Sequence, residues 1–242
     1  MNRLFISDLH LSEERPHTTA AFFAFLEDEA ASCDELYILG DFFDAWIGDD
    51  DDRPLAADVA QALKKVAEQG VRIFFQHGNR DFLLGEDYAQ RCGMQLLPAL
   101  HVIEQQGQRI LLAHGDQFCT QDVAYQQFRS LVRNPEWQQD FWAKPIAERR
   151  AIAAQLRAKS KEANSIKAED IMDVTPSEID KVLIEQKCNT LIHGHTHRPA
   201  RHVSTLPDGS VAERIVLGEW AETYWIARLE RSVLRLMDRN VR

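Results

Sequence analysis

No apolar run in this sequence approaches the roughly 18 residues that suggest a membrane span. A strand pattern begins at Leu4 and already carries Asp8, leaving no room for the basic segment and apolar stretch of a signal peptide. A cytoplasmic protein is therefore expected. Cysteine is scarce. Cys33, Cys92, Cys119 and Cys188 lie far apart, without the paired spacing of zinc ribbons or redox motifs, so reduced thiols are expected, with Cys33 and Cys92 as core fillers. Positive charge is also in deficit: 28 Lys and Arg against 38 Asp and Glu leave a formal net charge of −10. That balance argues against non-specific nucleic-acid binding. Asp49 to Asp52 reads as a solvated acidic loop, with a secondary cation site beside Trp46 as the alternative.

What is present suits an α/β protein. The 242 residues, 45% of them hydrophobic, supply a substantial core and are read as one domain, 1–242, with an insertion. Strand and helix patterns alternate through Leu4 to Ser7, a helix near Thr18 to Ala31, Leu36 to Leu39, a helix near Pro54 to Gln69, and Val71 to Gln76. A largely parallel sheet follows from that alternation. After His197, Arg201 to Thr205, Val211 to Val216, Thr223 to Leu229 and Val233 to Met237 read as antiparallel strands forming a second sheet packed on the first.

Five short apolar runs end in residues able to bind metal: Asp8-Leu9-His10, Gly40-Asp41, Gly78-Asn79, His114-Gly115-Asp116 and Gly194-His195-Thr196-His197. Loops at the ends of buried strands are where α/β sites form. The side chains delivered are Asp8, His10, Asp41, Asn79, His114, His195 and His197, a nitrogen and oxygen set without thiolate. Seven ligands exceed one tetrahedral site but suit two cations bridged by a carboxylate, here Asp41. Two-metal sites activate water and clamp an in-line displacement at phosphorus, so phosphoester or phosphoanhydride hydrolysis is expected. The bland alternative is that these polar residues merely cap loops. His17, His77, His101, His193 and His202 fit no such position and are read as surface or structural histidines.

The order Asp-x-His, Gly-Asp, Gly-Asn, His-Gly and Gly-His-x-His resembles the calcineurin-like metallophosphoesterase superfamily, from Asp8 to His197. Within it, Ile6 to Leu11, Leu39 to Gly48, His77 to Leu83 and His114 to Asp116 resemble the family of UDP-2,3-diacylglucosamine hydrolases, which serves lipid A biosynthesis in Gram-negative bacteria. The resemblance implies a four-layer αββα sandwich of two mixed sheets with an inserted helical lid. It implies two Mn2+ ions, one on Asp8, His10, Asp41 and His197, the other on Asp41, Asn79, His114 and His195. The implied reaction is water attack on the α-phosphorus of UDP-2,3-diacylglucosamine, giving UMP and 2,3-diacylglucosamine 1-phosphate. Asp41, Asn79, Arg80 and His114 form the implied catalytic set, and Asn79, Arg80, Asp122, Ser160, Asn164, Lys167 and His195 the implied substrate contacts. Arg80 departs from the wider superfamily, where a histidine after Gly-Asn is held to protonate the leaving group. Arginine stays protonated, so Arg80 is expected to stabilise phosphoryl charge; a surface pair with Asp81 is the alternative.

Between His114 and Thr190 the pattern is helical, broken near Asn134-Pro135, Lys144-Pro145 and Thr175-Pro176, and 121–174 is read as the lid. Lys144 to Lys167 holds seven basic residues against Glu148 and Glu162 and is expected to attract an anion. Arg157 is expected to face the site; Arg149 and Arg150 are left between solvated helix face and phosphate contact. Ser160, Asn164 and Lys167 share a helix face, and Asp122 is alternatively an N-cap. Phe128, Leu131, Val132, Trp137, Phe141, Trp142, Ile146, Ile152 and Leu156 supply surplus apolar surface, which suits a ligand groove or peripheral contact with the cytoplasmic face of the inner membrane. Trp46, Phe82 and Leu83 either line an acyl-chain entrance or pack loop to core. The rival readings are another dinuclear phosphoesterase, such as a nucleoside polyphosphate hydrolase or phosphodiesterase, and a metal-free scaffold of the same fold.

Overall fold

The computed structural model describes residues 1–166 and 171–241. The first half alternates β1 (Asn2–Ile6), α1 (Pro16–Asp28), β2 (Glu35–Leu39), α2 (Pro54–Glu68), β3 (Arg72–Gln76), α3 (Glu86–Cys92) and β4 (Met94–Leu96). A hairpin of β5 (His101–Gln105) and β6 (Gln108–Leu112) leads into α4 (Val123–Val132), α5 (Pro135–Trp142), α6 (Ile146–Ile166) and α7 (Pro176–Gln186). The chain ends with β7 (Thr190–His193), β8 (Ala200–Thr205), β9 (Val211–Val216), β10 (Thr223–Glu230) and β11 (Val233–Asn240). Proline opens α1, α2, α5 and α7, where its missing N–H would have no helical partner anyway.

Six strands form one sheet in the order β11-β10-β1-β2-β3-β4 and five form another in the order β5-β6-β7-β9-β8. Alternation along β1 divides the layers. Leu4 and Ile6 pack outward with Phe22 and Phe25 of α1, Val59 and Leu63 of α2, and Tyr88 of α3. Phe5 packs inward with Tyr37, Leu39, Ile110, Leu112, Ile192 and Ile215 between the sheets. Beyond the second sheet, Leu111 and Leu191 meet Ile179, Val182 and Leu183 of α7. Each fully buried side chain of this kind contributes about 1.5–3 kcal/mol. The result is the four-layer α/β sandwich with two mixed sheets.

The C-terminal strands depart from the sequence expectation. They do not form a sheet of their own: β8 and β9 extend the second sheet, β9 running parallel to β7, while β10 and β11 join the first. Leu4, Phe5 and Ile6 are wholly buried, so β1 cannot stand at an open edge with its backbone groups unpaired. Antiparallel pairing with β10, Phe5 opposite Ala227, closes that edge.

Candidate functional site

The C-terminal ends of β1, β2, β3, β6 and β7 converge, and all seven candidate ligands come with them. Asp8 N donates to Gly40 O (3.1 Å), and His10 N to Asp41 O (2.9 Å), so the first two loops run side by side. Asp8, His10, Asp41, His195 and His197 all have φ between 49° and 69°. Left-handed backbone is uncommon outside glycine and costs free energy; five such residues in one cluster of seven mark a strained site. Two glycines permit the approach of the loops. A Cβ on Gly78 would collide with Asp41, and one on Gly194 with Ser7 and Asp8.

The donor atoms form a continuous group. His197 Nε2 lies 3.3 Å from His10 Nε2 and 3.4 Å from Asp8 Oδ1. Asp41 offers Oδ2 at 3.9 Å from His10 Nε2 and Oδ1 at 3.7 Å from His114 Nε2. Asn79 Oδ1 lies 3.0 Å from His114 Nε2 and 2.8 Å from His195 Nδ1. Ligand atoms of Asp8, His10 and His197, and of Asp8, Asp41 and His114, lie within 4.8 Å of one another. Asp41 thus stands between the two sets expected from sequence.

Surrounding groups fix these side chains. Leu39 O, 2.8 Å from His114 Nδ1, accepts its proton and leaves Nε2 for the site. Asp8 accepts from Ser7 Oγ (2.7 Å) and from His195 N (3.0 Å to Oδ2). Burial alone would raise the Asp8 carboxyl; the His197 hydrogen bond and nearby imidazoles hold it well below the usual range instead. At His197, burial is likewise overcome by hydrogen bonds to Asp8 and Glu219, which lift its pKa to about 10. Convergent nitrogen and oxygen donors, with the outer ring nitrogens of His114 and His197 held by Leu39 O and Glu219, are what a divalent metal centre requires.

Wholly buried Asp81 clasps two loops: Oδ1 accepts from Gly78 N (2.8 Å) and Oδ2 from Phe42 N (2.7 Å). Burial, with Asp41 close by, pushes it up to about 7. Its oxygens serve the backbone, which removes the Arg80–Asp81 surface pair. Arg80 N donates to Asp41 Oδ1 (2.8 Å), and Arg80 Nε is buried without a hydrogen-bond partner among the described residues.

A polar cavity of about 690 Å³ is lined by His10, Asp41, Asn79, Asp122, His195, His197 and Glu219. An apolar cavity of about 280 Å³ is lined by Trp46, Phe82, Leu83, Phe128, Trp137, Phe141 and Leu156. Asp44, Asn79, Arg80, Tyr125, Arg157 and Ser160 line both. Arg157 pairs with Asp44 and so faces the site. Asp122 lines the polar cavity and also caps α4, accepting from Tyr125 N at 3.1 Å. The side chain of Asn164 and the whole of Lys167 lie outside the described residues. Trp46 and Leu83 touch the apolar cavity but are 3% exposed; Trp46 packs against Phe43 and Tyr88, so loop-to-core packing holds for it as well.

The acidic run is solvent-exposed at Asp50 and Asp52 (61% and 68%), but every one of its carboxylates is partnered. Asp49 accepts from Gly85 N and Trp46 Nε1, Asp50 pairs with Arg149, and Asp51 and Asp52 pair with Arg150. Arg149 is 2% exposed and also donates to Ile47 O (2.7 Å). The aspartates tether α6 to the loop after β2. Arg149 is therefore buried and Arg150, though 42% exposed, is paired, so both are engaged with aspartates, and the basic excess of α6 is smaller than its composition suggests. Sequence reasoning also missed Asp44, Tyr125, Glu219 and the tie of Asp116 Oδ2 to Tyr125 Oη (2.6 Å) and Arg129 Nε (2.7 Å). Asp44 and Asp116 stood within quoted motifs; Tyr125 and Glu219 did not.

Comparison with known proteins gives the same frame. Calcineurin-like phosphoesterase matches residues 1–199. UDP-2,3-diacylglucosamine hydrolase of Cellvibrio japonicus is 56% identical over 240 residues, covering 99% of both chains. The enzyme of that name from Serratia proteamaculans is 51% identical over 220 residues, 91% of each chain. That from Hahella chejuensis is 48% identical, covering 98% of this chain and 97% of its own. The chain belongs to the calcineurin-like phosphoesterase family, in the company of relatives that carry the UDP-2,3-diacylglucosamine hydrolase name.

Proposed function

We propose that this chain hydrolyses the diphosphate of UDP-2,3-diacylglucosamine by water attack at the α-phosphorus, releasing UMP and 2,3-diacylglucosamine 1-phosphate for lipid A biosynthesis. The observation that carries the reading is the junction of a polar, ligand-rich cavity with an apolar one through six shared residues. A substrate with a diphosphate and two acyl chains needs both. The names of relatives at 48–56% identity support the same substrate.

Asp8, His10, Asp41 and His197 would hold one Mn2+, and Asp41, Asn79, His114 and His195 a second. Bound there, the ions would supply an activated water and charge stabilisation at phosphorus. Asp41 is kept in place by Arg80 N, and the Asn79 loop by Asp81. Arg80 and Arg157, on the wall between the cavities, would neutralise phosphoryl oxygens. Arginine cannot protonate a leaving group. A sugar 1-phosphate with a second pKa of about 6 needs no such donor.

Residues 121–174 act in this reading as a lid that excludes water and receives acyl chains. Val123, Leu131 and Trp142 on its outer face are 61%, 55% and 43% exposed, which suits peripheral contact with the inner membrane. No described helix is long and apolar enough to cross a membrane. Flotation with anionic liposomes at moderate salt tests that contact, and absence of binding counts against it. For the activity, UDP-2,3-diacylglucosamine is assayed with Mn2+ beside diadenosine tetraphosphate and a phosphopeptide. Preference for either of the latter would favour another dinuclear phosphoesterase.

A further inference from the structure

We propose that Glu219 is a positioning residue that fixes the His197 ring for metal ligation, with Arg15 holding Glu219 in place. The inference rests on the reading that the seven groups bind two divalent cations, and it concerns a residue outside that set.

The candidate ligand rings are not equally secured. His10 and His114 side chains are 7% and 1% exposed, so packing restrains both. The His197 side chain is 35% exposed. Its Nε2 faces Asp8 and His10, while Nδ1, on the opposite edge, lies 3.2 Å from Glu219 Oε2. A carboxylate that accepts the Nδ1 proton selects the tautomer with a free Nε2 lone pair and stops ring rotation. Leu39 O does the same for His114. For an exposed ring, the carboxylate replaces the missing packing.

Glu219 is itself anchored. Its Oε1 lies 2.9 Å from Arg15 Nη1, and Arg15 Nη2 donates to Trp220 O. Trp220 N donates to Asp8 O at 3.1 Å, which ties the Glu219 loop to the loop bearing another candidate ligand. The Trp220 ring is fully buried, edge-on to Phe25 and stacked on Tyr224 at 4.5 Å. On the other side, Leu217 N donates to His193 O at 2.8 Å. A carboxylate on a loop pinned at both ends presents a fixed partner to His197.

Mn2+ titration of the full-length protein, with free ion followed by electron paramagnetic resonance, tests this. Wild type binds two ions. Glu219→Ala weakens one of them by roughly 10- to 100-fold, the range for loss of such an outer partner, and leaves the other unchanged. Glu219→Gln keeps an acceptor oxygen and loses less; Arg15→Met shifts the same ion in the same direction. Unfolding temperatures measured in chelator match wild type, separating ring orientation from general damage. Wild-type affinity for both ions in Glu219→Ala, or a Gln variant as weak as Ala, overturns the inference alone. A wild type that binds no Mn2+ overturns the site reading with it.

Discussion

Replacing Arg149 by methionine should release α6 from the loop after β2 while keeping an aliphatic chain in the packing. Asp50 is 61% exposed, so its ion pair with Arg149 is worth at most about 1 kcal/mol. The larger loss is at Ile47, itself 3% exposed, whose carbonyl accepts from Arg149 Nη1 at 2.7 Å. Leaving a buried carbonyl without its charged donor costs about 1–3 kcal/mol. The Lys144 carbonyl, bonded to Arg149 Nε at 3.0 Å, belongs to a partly exposed residue, and water replaces the lost donor there. The sum is about 1–4 kcal/mol, which raises the local opening constant roughly 5- to 1000-fold. Limited proteolysis under conditions where reclosing outpaces cleavage reads that constant directly. Cleavage between α5 and α6 should accelerate by that factor with the Mn2+ stoichiometry unchanged. A rate within threefold of wild type would refute the assignment of Arg149 as the tether.

Gly194→Ala should lower metal affinity and cost about 1–3 kcal/mol through overpacking, because its Cβ meets Ser7 and Asp8; thermal unfolding with and without Mn2+ checks both parts. Phe82→Ala, which removes a half-buried ring beside Trp137, should raise KM for acylated substrate more than for a short-chain analogue, and equal effects would return Phe82 to a packing role. Acid should loosen the tether. The Arg149 hydrogen bond holds the Asp50 carboxyl below the unfolded value of about 3.9, so its contribution is full above about pH 4 and lost as pH falls through the folded value. Cleavage by an acid-active protease should therefore rise below pH 4 in wild type and change less in Arg149→Met.

The seven candidate ligands were legible because each lies within a few residues of a strand end, and a short apolar run closed by Gly, Asp or His is local information. Their left-handed backbone was not, since φ at Asp8 or His197 depends on loops that meet only in the folded chain. The same holds for the ties of Asp50 to Asp52 to Arg149 and Arg150, about a hundred residues away, which composition read alone did not show. Glu219 carries no motif and reaches His197 only because β9 returns beside β7. Strand existence after His197 was readable from alternation. Sheet membership was not, because it is decided by which buried strand would otherwise be left with an open edge.

Hydrolysis in water labelled with heavy oxygen, followed by mass analysis of both products, tests the central claim most directly. Attack at the α-phosphorus predicts one labelled oxygen in UMP and none in 2,3-diacylglucosamine 1-phosphate. Label in the sugar phosphate, or an intact substrate in the presence of Mn2+, would contradict it.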